Sequence, residues 1–309
     1  MPVIYLNKIE FIQHGHLTHI DKQLFDCPRC LHCYPFIQGF SNSEKELVNF
    51  CKQYYSNLIE NDRQLIKPKE LDIVIPELKL AIEFNGTYWH SEQAGKDKNY
   101  HLNKTLECEK AGYRLIHIFE HEWINKQEII RSKLKALFNV EQEHIYARKC
   151  IIKEITTFDK NKFLNNYHIQ KEDKSEIKLG LYYNDDLVAV MTFSKSRLNK
   201  NYEYELIRYA TSKHVIGGAG KLLKYFERTY KPKSIITYAD RRFSLVNMYF
   251  QLGFKLDHIS KPNYLWINDN KILTRYQCQK HKLKTLLKKF DSALTESENM
   301  VNNRILSII

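Results

Sequence analysis

A chain of 309 residues with 48 Lys+Arg against 36 Asp+Glu carries a formal charge of +12, an excess that favours a polyanionic partner, nucleic acid first. Its seven cysteines are odd in number, and three cluster in "CPRCLHC". That pattern argues against a secreted disulfide framework and for a reducing, intracellular compartment. No basic-then-apolar leader opens the sequence and no run of 18 apolar residues occurs, so neither secretion nor a membrane partner is expected.

In chain order, residues 1–36 are rich in His and Cys. "SNSEKELVNFCKQYY" (41–55) predicts a helix: Ser41 to Ser43 offers a cap, acids fill the first turn, and Leu47, Phe50 and Tyr54 recur at helical spacing. "ELDIVIPELKLAIEFNGTYWHS" (70–91) predicts a hairpin of two apolar strands, 71–75 and 80–84, joined by Pro-Glu-Leu-Lys. Each strand carries one acid, Asp72 or Glu83. A turn centred on Glu77 and Leu78 pairs Val74 with Ala81 and Asp72 with Glu83, placing each pair on one face with Cβ atoms about 4.5–5.5 Å apart. Like charges so placed repel; a divalent cation reverses the sign, and carboxylate oxygens suit Mg²⁺. A loop of odd length would instead slip the register and leave the acids apart at solvated strand ends. Asn85-Gly86 signals a turn that presents Tyr88, Trp89 and His90 beyond the acids. Phosphodiester hydrolysis needs a metal to polarise phosphate and activate water. An imidazole titrating near neutrality can move the proton.

"KDKNYHLNKTLECEKAGYRLIHIFEHEW" (96–123) predicts a helix ending at Gly112 and a buried strand 113–119; 126–138 predicts another amphipathic helix. The order helix, hairpin, helix, strand, helix is an α/β pattern. "EHIYARKC" (143–150) marks a boundary. Beyond it come a helix near 158–167, a hairpin turning at Asn184–Asp186 and a strand 203–210. A Gly-rich turn "VIGGAGKLLKYF", a strand "SIITYAD", a helix 244–252, a strand near 263–267 and a basic helix "QKHKLKTLLKKF" follow. Residues 291–309 read as a polar, peripheral tail.

Residues 41–123 resemble the very-short-patch-repair endonuclease and the phage-type homing endonucleases related to it, with their Glu-Asp-x-His-Asp signature. "SEKEL" supplies Glu44, "LDIVIP" supplies Asp72, and "EFNGTYWH" supplies His90, with Asn85 at the variable position. The resemblance implies a restriction-endonuclease-type fold, a DNA-cleaving activity and a catalytic Mg²⁺ held by Asp72, the backbone of Phe84 and, as an extra acid, Glu83. It also implies that Tyr88 and Trp89 wedge between bases. Glu83 precedes Asn85 where a generic restriction fold has Glu-x-Lys, and the late aspartate has no clear counterpart. His101 and Lys104 are the candidates to close the set. Taken alone, Glu44 is an ordinary first-turn acid favoured by the helix dipole.

"EFIQHGHLTHIDKQLFDCPRC" resembles small zinc modules of phage nucleases, which implies His14, Cys27 and Cys30 as Zn²⁺ ligands with Cys33, His16 or His19 completing the set; Phe11 stands where the first Cys belongs. "KLGLYYNDDLVAVMTF", "EYELIRYA", "HVIGGAGKLLKYF" and "NMYFQLGF" resemble, in that order, a GNAT acetyltransferase, with Gly217, Gly218 and Gly220 at the pyrophosphate turn and Tyr249 near the position of the general acid. Basic and aromatic surroundings favour a DNA-contacting module on that scaffold, with Arg197, Arg241 and Arg242 as phosphate or base contacts; pairing with neighbours such as Asp240 is the alternative. The expected organisation is a His/Cys-rich module over 1–38, a nuclease domain over 39–140, a GNAT-like domain over 145–283 and a basic helical tail over 284–309. The expected function is site-specific cleavage of double-stranded DNA. The alternatives are an acetyltransferase with an auxiliary domain, or a DNA-binding protein whose nuclease site has decayed.

Overall fold

The computed structural model describes residues 3–5, 8–13, 16–21, 42–86, 99–140, 143–244, 246–260, 265–268, 271–303 and 305–308. The chain divides into two compact units, Met1–Leu47 and Val48–Ile309. The fold is mixed α/β, with several sheets and eight α-helices among the described residues. No described helix is long and apolar enough to cross a membrane.

In the first unit, β1 (Val3–Tyr5), β2 (Lys8–Gln13) and β3 (His16–Asp21) form an antiparallel sheet in that order. Composition alone gave this stretch no strands. The signal lay in the apolar residues Ile9 and Phe11, spaced by two, and in the two residues, 14 and 15, that separate β2 from β3. Helix α1 (Asn42–Lys52) starts in this unit and runs into the next.

The second unit begins with a four-stranded sheet, β4 (Ile59–Asp62), β5 (Leu71–Ile75), β6 (Leu80–Asn85) and β7 (Arg114–Phe119), in the order β4-β5-β6-β7. The β5–β6 connection is a 3₁₀ turn over Pro76–Leu78. It closes where Lys79, left-handed at φ 48°, donates its N–H to Pro76 O at 3.0 Å. Four loop residues keep the register even: Ile75 faces Leu80, Val74 faces Ala81 and Ile73 faces Ile82. Strands β6 and β7 are parallel, which demands a crossover, and α2 (Tyr100–Lys110) provides it. One sheet face packs on that helix through Leu71, Val74, Ala81, Leu115 and Cys108. Helix α3 (Glu120–Leu137) starts directly after β7. Non-helical backbone at Lys126 separates a first turn, absent from the expected 126–138 helix, from the rest.

Next come β8 (His144–Tyr146), β9 (Ile151–Glu154), α4 (Thr157–Tyr167), β10 (Ile177–Tyr183), β11 (Asp186–Lys195), β12 (Tyr204–Thr211), β13 (His214–Ile216), α5 (Gly218–Tyr230) and β14 (Ile235–Thr237). Five of these strands make one sheet, β14-β12-β11-β10-β9, in which only β12 and β14 are parallel; β8 and β13 pair separately. The β10–β11 turn puts Asn184 and Asp185 at φ 48° and 64°, the conformation of a two-residue hairpin that follows strand twist. One sheet face buries Leu179, Leu181 and Phe193 against Leu222, Leu223 and Phe226 of α5, with the Phe193 and Phe226 rings stacked at 3.7 Å. Val190 and Ala210 face Phe163 and Leu164 of α4 on the other.

Helix α6 (Asn247–Gln251) is shorter than its predicted span. In the C-terminal region the expected strand near 263–267 and the basic helix both stand, and the rest departs from expectation. Strands β15 (Leu265–Asn268), β16 (Lys271–Thr274) and β17 (Leu306–Ile308) form a sheet in the order β16-β15-β17, with α7 (Lys280–Leu286) and α8 (Glu296–Asn302) between β16 and β17. Trp266, Cys278, Leu283, Leu287, Met300 and Ile305 share a core. Residues 284–309 are therefore no peripheral helical tail. Few but well-spaced apolar residues suffice because Thr295 and Glu298 cap α8 reciprocally and Asn299 ties it to the Asp291 and Leu294 carbonyls.

Candidate active site

Because Val74 faces Ala81, the even positions of β5 and the odd positions of β6 share the face covered by α2. Asp72, Glu83 and Asn85 stand on that face. Asp72 accepts the Phe84 backbone N–H at 2.6 Å. Glu83, 3% exposed, receives Lys104 Nζ from α2 in an ion pair whose two side chains are both buried. Lys104 reaches the sheet because it lies one turn before Cys108, which packs on Val74 and Ala81.

The electrostatics follow from this crowding. Burial pushes Asp72 up to about 6, against the opposing pull of the Phe84 N–H and Lys104. Burial and then the Asp72 charge push Glu83 up to about 8, although Lys104 pulls the other way. Burial lowers Lys104, but the charge and hydrogen bond of Glu83 outweigh it and leave the amine raised. Burial and mutual repulsion therefore hold a proton on the pair near neutrality, and a cation between the two carboxylates would let both ionise.

A second chain of bonds runs alongside. Asn85 Nδ2 lies 3.2 Å from His117 Nδ1, His117 Nε2 lies 2.9 Å from Thr105 Oγ1, and Thr105 donates to the His101 carbonyl at 2.9 Å. One direction satisfies every step: Asn85 donates, His117 carries its proton on Nε2, and Thr105 accepts it. The His101 ring meets His117 edge-on at 5.0 Å. This orientation turns Asn85 Oδ1 away from His117. That oxygen and Glu83 Oε2 are buried and have no hydrogen-bond partner among the described residues. Two such oxygens beside paired carboxylates fit a hard divalent cation. No cluster of three or more His, Cys, Asp or Glu side chains with metal-site geometry occurs among the described residues.

The structure thus brings together Asp72, Glu83, Asn85, Lys104 and His101 among the expected residues, with the Phe84 backbone touching Asp72. It adds His117 and Thr105. His117 could have been found by aligning "RLIHIF" in parallel beside "LAIEFN", which puts it opposite Glu83. Glu44 stands in the first turn of α1, in the first compact unit. Tyr88, Trp89, His90, His14, Cys27, Cys30 and Cys33 lie outside the described residues.

Arg242 pairs within the protein, the alternative that the sequence left open. Its guanidinium donates to Glu122 at 2.7 and 3.2 Å and to Asp240 at 2.8 and 3.2 Å, so both carboxylates hold it against α3. Its carbonyl accepts from Arg114 at 3.3 Å. Arg241 pairs with Glu109 at 3.3 Å and Arg197 with Glu205 at 3.1 Å, each half exposed. No protein-family model matches the chain, and no curated protein or solved structure matches it either.

Proposed function

We propose that the protein is a Mg²⁺-dependent endonuclease of the homing type acting on double-stranded DNA, with a restriction-endonuclease-like core in β4–β7, α2 and α3 and a GNAT-like scaffold in β9–β14 and α5. The observation that carries this reading is the pair Asp72–Glu83 on one sheet face with Lys104 bonded to Glu83. It is the arrangement of acids and lysine that phosphodiester hydrolysis uses, with the amine delivered from a helix.

Asp72, Glu83 and the Asn85 carbonyl oxygen would hold the cation. When bound, it supplies charge neutralisation at the phosphate and a more acidic water. Asp72 is oriented by the Phe84 N–H. Lys104 opposes the protonation of Glu83 that burial favours and contributes positive charge where negative charge develops on the phosphate oxygens. The His117–Thr105 chain fixes the Asn85 amide. His90 is assigned the proton transfer by its place in the sequence pattern.

The test is cleavage of supercoiled plasmid with Mg²⁺ by the wild type and by Asp72→Ala and Lys104→Met. The wild type is expected to cut, and each variant to lose activity by at least about 100-fold, the scale of a lost electrostatic group. Equal cutting by wild type and Asp72→Ala refutes the assignment.

A further inference from the structure

Beside α5 lies a cleft of about 680 Å³ lined by Tyr146, Arg148, Lys221, Lys224, Tyr225 and Arg228 and by no acidic residue. Arg148, Lys224 and Arg228 are exposed, and none pairs with a carboxylate among the described residues. Lys221 donates to the carbonyls of Ala147 at 2.9 Å and Cys150 at 2.5 Å. These acceptors are neutral, so its charge is held in place without being cancelled. Arg148 lies over the Tyr146 ring at 5.1 Å.

The spread of the cations bears on the ligand. Lys224 and Arg228 fall on one helix face, about 6 Å apart along the axis at 1.5 Å per residue, and Arg148 lines the same cleft. Charge spread in this way suits an extended polyanion with more than one phosphate. A single pyrophosphate would need donors converging at the start of α5, where Gly217 and Gly220 also line the cleft and Gly218 is packed, since a Cβ on it would meet Val215 Cγ1 at 2.9 Å and the Tyr209 hydroxyl at 3.0 Å. Lys224 and Arg228 stand further along α5, so the uncancelled charge extends past that point.

We infer that this cleft is a DNA-backbone site, in which Arg148, Lys224 and Arg228 contact phosphates of the duplex. The identity of the ligand as duplex DNA rests on the endonuclease reading; the polyanion chemistry of the cleft does not.

The experiment measures binding of a fluorescent duplex in EDTA, across a salt series, by full-length wild type and the triple variant Arg148→Ala, Lys224→Ala, Arg228→Ala. Circular dichroism and thermal unfolding confirm the fold. The triple variant should bind at least about tenfold more weakly on any sequence, and its slope of log K against log salt should shrink by roughly 0.9 for each phosphate that is no longer neutralised. Wild-type affinity and slope in the folded triple variant overturn the inference. Acetyl-CoA binding that the triple substitution abolishes while duplex binding persists does so too, and so does a wild type that binds no DNA. Plasmid cutting, assayed separately, tests the endonuclease reading. A protein that binds DNA through the cleft but leaves plasmid intact sinks that reading alone, and one that cuts while ignoring the triple substitution sinks this inference alone.

Discussion

Glu83 and Lys104 are separated by 21 positions in the chain and are both almost wholly buried. Removing one member of such a pair leaves the other charge without compensation, so Lys104→Met is expected to cost about 3–5 kcal/mol in urea unfolding. Adding Glu83→Gln should recover part of that loss. The pairing of Val74 with Ala81, which puts Asp72 and Glu83 on one face, was legible because a hairpin register can be counted from its turn. Lys104 could be named as a candidate but not joined to Glu83, since its partner depends on how a helix crosses the sheet. His117, a lone imidazole in an apolar strand, becomes legible only once that strand is aligned in parallel beside β6. A different histidine sets an acid limit. His168 accepts the Gln170 N–H at Nδ1, and burial with the nearby charge of Arg208 lowers its pKa to about 3. Its folded pKa lies below the ordinary 6.5, so the stability it contributes is complete above that value and drains as pH falls toward 3. A loss of roughly 1–2 kcal/mol is expected between pH 7 and pH 5. His168→Asn should flatten that part of the curve of ΔG against pH.

Secondary elements were more legible than their partners. The β5–β6 and β10–β11 hairpins, α4 and the strand after Gly112 all stand where periodicity and turn chemistry place them, because those signals are local. The first turn of α3 was missed because "EHEW" lacks a cap and Lys126 breaks the helix inside the sequence window. Strand β15 and helix α7 were legible, but β16, α8, β17 and their common core were missed because a core of about six apolar residues is diluted by lysines and polar turns. Arg242 illustrates the same limit from the other side: its neighbour Asp240 was foreseeable, but Glu122, 120 positions away, was not. Arg242→Ala should destabilise by about 3–5 kcal/mol, since Glu122 is buried. It should leave the salt slope of DNA binding unchanged. Equilibrium unfolding and the salt series distinguish this role from a phosphate-binding one, which would move the slope and spare stability.

At the scale of the molecule, a charge of +12 says only that a polyanion is a suitable partner; which surface receives it depends on which cations the fold leaves without carboxylates. Truncation after Asn303 removes β17 and Ile305, strips a strand from β15 and opens the core around Trp266. Its expected signature is a red-shifted tryptophan emission and a lower unfolding midpoint. The bond between Glu122 and Arg242 has a practical corollary for anyone dissecting the chain. Residues 42–140 expressed by themselves would carry a desolvated glutamate whose counter-ion was left in the discarded half, so such a fragment should be poorly soluble as written. Substituting Glu122→Gln in the gene for that piece should rescue its yield, while in the full-length protein the identical change would leave the arginine to Asp240 alone.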